Sequence, residues 1–301
     1  MNKKIENEIK ILKKEKNAII LAHSYQRGDV QDIADFVGDS LGLCIKASQT
    51  DADIIIFCGV HFMAESAKLI NPQKTVLLPD SRSGCAMANM ATGKAVRALK
   101  RENPEALVVC YVNSTAEVKG ESDICCTSSN AVSVVNSLPE NKPIIFLPDQ
   151  HLGRYVENQT GRKMILWPGH CPTHQSILPE DIRMCREQNP DACVLVHPEC
   201  SEEVTNMADA VGSTGFIYDY CSRSDEKIFI IGTEIGILHR LRRNNPDKVF
   251  IPASENAVCP DMKLISGENI LRSLTNMETQ IRINGDLAKR AYEPIRRMME
   301  L

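Results

Sequence analysis

Cys85, Cys171 and Cys259 stand 86 and 88 residues apart, each a few positions beyond a proline (Pro79, Pro168 and Pro252). Their contexts, Ser-Gly-Cys, His-Cys-Pro and Val-Cys-Pro, are short and turn-prone. Three soft thiolates brought to one point suit an iron–sulfur cluster, and a four-iron cluster held by three cysteines leaves one iron open as a Lewis acid. Two other markers keep the same interval. Polar residues two apart occur as His23 with Tyr25, Tyr111 with Asn113, and His197 with Glu199; the first members are separated by 88 and 86 positions. Serines recur as Ser40, Ser128 and Ser213, with Thr214 beside the last, at intervals of 88 and 85. Imidazole, phenol and carboxylate are acid/base groups. The hydroxyls read either as helix N-caps or, beside free amides at helix starts, as a site for a phosphate or for several carboxylates.

The segments that must position these residues repeat as well. Each of three stretches reads strand, helix, strand, helix, strand, helix, strand. The strands fall near Ala18 to Ala22, Asp35 to Val37, Asp53 to Cys58 and Thr75 to Leu78 in the first. In the second they fall near Ala106 to Val112, Asp123 to Cys126, Pro143 to Leu147 and Lys163 to Trp167. In the third they fall near Cys193 to Val196, Ala210 to Gly212, Lys227 to Ile231 and Lys248 to Ile251. Alternating strands and helices call for parallel sheets with right-handed crossovers. The expected fold is α/β, with three pseudo-threefold-related three-layer α/β/α units, each with a four-stranded parallel sheet, around a central active site. The units are placed at 1–90, 91–177 and 178–265, with C-terminal helices 266–301 packing back on the first. All the marker residues lie at the carboxyl ends of strands, where open parallel sheets bind ligands. Residues two apart on a strand share a side, so each polar pair is expected to point one way.

Composition narrows the function. Hydrophobic residues make up 43% and charged residues 25%, the balance of a globular chain, and the net charge of −4 offers no basic stripe for nucleic acid. No apolar run approaches the ~20 residues that span a bilayer, and the amphipathic start lacks a signal-peptide centre, so a cytoplasmic protein with reduced thiols is expected. Six further cysteines (Cys44, Cys58, Cys110, Cys126, Cys193 and Cys221) read as small hydrophobes. The Cys125-Cys126 pair points two ways along a strand, and Cys185 and Cys200 have no counterparts in the other units. Cys171 with His174 could begin a zinc site, as in a zinc hydrolase, but no matching pair follows. A cluster-bearing sensor is a second rival.

The motifs resemble those of the quinolinate synthases. They are Leu-Ala-His-Ser-Tyr at 21–25, Gly-Asp-Ser at 38–40, Tyr-Val-Asn at 111–113 and Thr-Ser-Ser-Asn at 127–130. Pro-Gly-His-Cys-Pro-Thr-His follows at 168–174, then His-Pro-Glu at 197–199, Gly-Ser-Thr at 212–214 and Cys-Pro-Asp-Met-Lys at 259–263. The resemblance implies one [4Fe-4S] cluster on Cys85, Cys171 and Cys259, and condensation of iminoaspartate with dihydroxyacetone phosphate to quinolinate, phosphate and water in NAD biosynthesis. It implies iminoaspartate supply by an L-aspartate oxidase or dehydrogenase. His23, Ser40, Tyr111, Asn113, Ser128, His197, Glu199, Ser213 and Thr214 would hold substrates, with Tyr25, Glu199, His174 and His197 as catalytic groups.

Overall fold

The computed structural model describes residues 1–301. Helix α1 (Lys3–Glu15) leads into β1 (Ala18–His23), α2 (Gly28–Ile33), β2 (Phe36–Gly38), α3 (Ser40–Gln49), β3 (Ile54–Cys58), α4 (His61–Ile70) and β4 (Thr75–Leu77). After α5 (Gly93–Glu102) the order recurs as β5 (Leu107–Tyr111), α6 (Ala116–Lys119), β6 (Ile124–Cys126), α7 (Ala131–Ser137), β7 (Ile144–Leu147), α8 (Gln150–Thr160) and β8 (Ile165–Leu166). A single-turn helix, α9 (Pro172–Gln175), and α10 (Pro179–Gln188) precede the third set. That set is β9 (Cys193–Val196), α11 (Glu202–Thr205), β10 (Ala210–Val211), α12 (Thr214–Arg223), β11 (Ile228–Gly232), α13 (Ile237–Asn244) and β12 (Val249–Pro252). The chain ends in α14 (Gly267–Asn276) and α15 (Gly285–Met299).

Three four-stranded sheets result, wholly parallel and identical in order: β2-β1-β3-β4, β6-β5-β7-β8 and β10-β9-β11-β12. Helices on both faces explain why inner strands such as Ile54–Cys58 and Ile144–Leu147 are apolar at every position and buried throughout. The edge strands β2, β6 and β10 are each tied to their neighbour by the aspartate just before them. Asp35, Asp123 and Asp209 accept the backbone N–H of Ile20, Val108 and Val194 at 2.8, 2.8 and 2.7 Å. Those carboxylates form a further repeat at intervals of 88 and 86.

The sequence reading puts both C-terminal helices on the first unit; both touch it, and α15 reaches the second as well. Helix α14 lies along α1, and its Ile270 and Leu274 join the core around β1 and β3. Helix α15 bridges the first two units, lying against α4 of the first and α6 and β6 of the second, and buries Ala291, Ile295 and Met298 with Val109 and Val118. An amphipathic helix goes where an apolar groove remains open, and its own periodicity does not say which groove that is. No helix is long and apolar enough to cross a membrane.

Candidate active site

A cavity of about 860 Å³, open solvent at its mouth included, lies at the carboxyl ends of all three sheets. Residues of the first sheet and its loops supply His23, Tyr25, Ser40 and Cys85; those of the second supply Tyr111, Asn113, Ser128, Cys171 and His174; those of the third supply His197, Glu199, Thr214 and Cys259. Of the expected site residues only Ser213 stays off the wall. It caps α12, accepting from the Phe216 N–H at 3.1 Å, and its hydroxyl reaches Asp39 Oδ2 at 3.4 Å. The N-cap reading fits Ser213 alone. Asp39 caps α3 through the Gly42 N–H, leaving Ser40 as the first helical residue, while Ser128 stands in the turn before α7 with its Oγ 3.2 Å from His197 Nε2.

The polar pairs are built differently from the alternation expected of a strand. His23 and Tyr111 end their strands, and His197 lies just past the end of β9; the chain then turns. In the first and third turns the N–H of the second residue donates to the imidazole of the first, Tyr25 to His23 Nδ1 at 3.2 Å and Glu199 to His197 Nδ1 at 3.3 Å. Burial pushes His23 down to about 4 and His197 down to about 3, so both rings are neutral near pH 7. A neutral ring whose Nδ1 accepts carries its proton on Nε2. Both rings are therefore hydrogen-bond donors at Nε2.

Glu199 is the hub. Its Oε1 accepts from Tyr111 Oη at 2.6 Å and from Asn113 Nδ2 at 3.3 Å, and its Oε2 lies 2.8 Å from His174 Nδ1. Burial pulls its carboxyl upward, but His174, His197 and the Tyr111 phenol outweigh that and hold it well below the usual carboxylate range. Facing a carboxylate and, at 3.2 Å, the Cys171 sulfur, His174 Nδ1 carries the hydrogen. His174 Nε2 is left toward the hydroxyls of Thr233 at 2.8 Å and Tyr25 at 3.5 Å. Tyr25 Oη also bonds Thr214 Oγ1 at 2.8 Å and Thr233 Oγ1 at 2.6 Å. Burial and then the Glu199 charge raise both Tyr25 and Tyr111 well above the ordinary phenol value. Both phenols stay protonated.

The three sulfurs share one local design. Each cysteine stands just before a single helical turn, with two residues between Cys85 and Ala88–Met90, none between Cys171 and Pro172–Gln175, and one between Cys259 and Asp261–Lys263. In each, the N–H three residues on favours a negative sulfur: Ala88 toward Cys85 Sγ at 3.4 Å, His174 toward Cys171 and Met262 toward Cys259. Burial pushes Cys85 up to about 12 and raises Cys171 and Cys259, while the charge of Cys85 acts on Cys171 and that of Cys259 on Cys85. Thiols so buried ionise when a cation takes the place of the proton, and amides aimed at them then stabilise the thiolate. The donor set fits a metal–sulfur group. Cys171 Sγ, His174 Nδ1 and Glu199 Oε2 also lie within 4.8 Å of one another, a set able to hold a single metal ion.

Other residues at or near the cavity are not singled out by sequence reading as site residues. Thr233, just past β11, joins Tyr25 to His174. Glu234 is fully buried, binds the Lys263 ammonium at 2.7 Å and accepts the Cys259 N–H at 3.1 Å, while Lys263 also donates to the Tyr25 carbonyl. Asp39 Oδ2 accepts from Ser129 Oγ at 3.0 Å as well as from Ser213, so one carboxylate links residues of all three repeats.

The neutral histidines make a stability prediction. Unfolded imidazoles titrate near 6.5. Both folded values are lower, so the unfolded chain binds more protons in the interval between. Stability therefore falls as pH drops through about 6.5, and goes on falling to about 4 for His23 and about 3 for His197. Each ring contributes up to about 1.4 kcal/mol per pH unit. Urea midpoints should decrease between about pH 7 and pH 5, and less so in His197→Asn; equal midpoints at the two pH values would show the rings to be charged in the folded protein.

A carboxylate–imidazole–phenol chain beside three thiols, enclosed where three α/β sheets meet, is the site of an enzyme with metal-binding groups. The chain belongs to the quinolinate synthetase A family, whose model matches residues 7–300. It is 53% identical over 297 residues to a quinolinate synthase of Dehalococcoides mccartyi, a match spanning 99% of this chain and 98% of that protein. A quinolinate synthase of a Geobacter species is 51% identical over 99% of this chain and 97% of its own. Quinolinate synthase 2 of Methanosarcina acetivorans is 51% identical over 99% of this chain and 96% of its own.

Proposed function

We propose that this chain is a quinolinate synthase, joining iminoaspartate to dihydroxyacetone phosphate and releasing phosphate and water as the pyridine ring closes, for NAD biosynthesis. The observation that carries this reading is one thiol from each repeat (Cys85, Cys171 and Cys259) beside the Glu199–His174 pair, in a chain whose half-identical relatives bear that name. Those thiols would hold a [4Fe-4S] cluster, which when bound supplies a Lewis-acidic iron for substrate oxygens. Residues 1–90, 91–177 and 178–265 are read as copies of one unit. The enzyme would work in the cytoplasm, where thiols stay reduced, on iminoaspartate delivered by an L-aspartate oxidase or dehydrogenase.

The side chains divide the proton work. Glu199, already ionised and fully partnered, is a weak base; it orients His174 and stabilises its cation, so the base is His174 Nε2. Tyr25, protonated and beside that nitrogen, returns a proton to a departing hydroxyl. The Nε2–H groups of His23 and His197, with the Ser40, Ser128 and Thr214 hydroxyls, donate to carboxylate or phosphate oxygens, and Asn113 adds an amide. Purified without oxygen and given both substrates, the chain should form quinolinate and phosphate in equal amounts. In the same assay Tyr25→Phe should lower kcat about 10²-fold, the scale of a lost general acid, with KM little changed. No quinolinate from the wild type would sink the proposal.

A single zinc ion on Cys171, His174 and Glu199 is a second reading, favoured by their 4.8 Å grouping. Two of those contacts already have hydrogen-bond length, 2.8 and 3.2 Å, and the set leaves Cys85 and Cys259 without a role. Metal analysis separates the two readings.

A further inference from the structure

Lys119 is fully buried, yet no carboxylate lies within salt-bridge distance of it. A buried ammonium costs several kcal/mol, on the order of the Born penalty after relaxation, so its partners should show what it does. Nζ donates to the carbonyls of Val112, at 2.8 Å, and Ser114. These are the two carbonyls flanking Asn113.

Eighty-eight positions earlier, in the corresponding short helix, stands Gln31. It too is buried. Its Nε2 donates to the carbonyls of Ser24 at 3.0 Å and Gln26 at 2.9 Å, which flank Tyr25. Its Oε1 has no partner, so the amide is placed for its donors alone. Each residue also reaches the neighbouring repeat. Gln31 Nε2 also lies 2.9 Å from Gly236 O, so its two hydrogens are shared among three carbonyls, and Lys119 Nζ stands 5.4 Å from the centre of the Phe62 ring.

The differences follow from the turns being held. The first and third turns are closed by backbone bonds, Gln26 N–H to His23 O at 2.9 Å and Cys200 N–H to His197 O at 3.0 Å, and by the imidazoles described above. The third also contains Pro198, whose φ is fixed, and the corresponding Thr205 makes no such clamp, bonding Glu202 O within its own helix. The second turn has no imidazole and is closed only by the tighter Ser114 N–H to Val112 O bond at 2.7 Å. It is the turn needing most help, and it has the charged donor, whose hydrogen bonds are roughly twice as strong as neutral ones.

We propose that Gln31 and Lys119 are pseudo-equivalent positioning residues that clamp the turns presenting Tyr25 and Asn113 to the site. The expected effect on turnover rests on the quinolinate synthase reading; the clamp itself does not. In Lys119→Met, which keeps the stem and loses the donor, amide hydrogen exchange over residues 111–116 should rise at least about tenfold, as a turn opened locally would show. Turnover should fall about tenfold or more. Lys119→Gln, which installs the first repeat's own solution, should restore exchange and kcat to within about threefold of wild type, the margin of context dependence. Should Lys119→Met not fold, Gln31→Leu makes the same test over residues 23–27. Unchanged exchange and turnover in the folded Met variant, or a Gln variant no better than Met, would overturn the proposal. If the wild type makes no quinolinate the functional reading fails, and the exchange data still decide the clamp.

Discussion

Cys171→Ala protein, purified anaerobically, should retain less than about a tenth of the iron and sulfide of the wild type, which should carry about four of each per chain if the cluster is of the four-iron type. Quinolinate formation should fall by at least about 10³-fold, the scale of losing a metal's electrostatic contribution. Three thiolates leave no spare protein ligand, so two sulfurs bind the remaining iron too weakly to keep it through purification. Cys85→Ala and Cys259→Ala should behave alike, since each sulfur sits in the same local setting of one helical turn with an amide directed at it. Cys185→Ala provides the contrast: that thiol points instead toward the carbonyls of Pro252 and Ala253, at 3.8 and 3.7 Å, and iron should be unaffected. Zinc at one per chain, lost from Cys171→Ala but kept in Cys85→Ala, would favour the single-ion reading.

Glu199→Gln should cost about 10⁴-fold in kcat, comparable to wrong-tautomer substitutions in carboxylate–histidine pairs. Glutamine keeps the shape and one acceptor, so Tyr111 and Asn113 remain satisfied. Its amide, however, would set a donor against the His174 Nδ1–H. The ring escapes by moving its proton to Nε2, the atom facing Tyr25 and Thr233, and is no longer a base there. KM should change little, because the loss falls on proton transfer. Nitrogen NMR of His174 would show the tautomer change directly, and turnover within about threefold of wild type would remove Glu199 from the catalytic chain.

The three parallel sheets were legible because residues at or past their strand ends recur at one interval: His23, Tyr111 and His197, then the serines, then the cysteines. Asp35, Asp123 and Asp209 were equally visible but uninformative, since their function is a bond to a neighbouring strand about fifteen residues away. Repetition exposes what stays the same in kind. Lys119 and Gln31 fill one position with unlike side chains, so a comparison by residue type passes over them. Thr233 and Lys263 carry no period, whereas Glu234 stands 85 positions after Asp149, a second fully buried acid just past its strand. The docking of α15 depended on which groove the folded units left uncovered.

The pocket's corners share one strand order and one spacing of polar residues, yet the reactants proposed for them have unlike ends. Symmetry would be a handicap there, because three matching walls would accept a reactant in three rotated poses. Divergence at the second member of each polar pair, a phenol at 25, an amide at 113 and a carboxylate at 199, labels the corners differently. Orientation is thus written in a handful of side chains carried on three sheets of identical order.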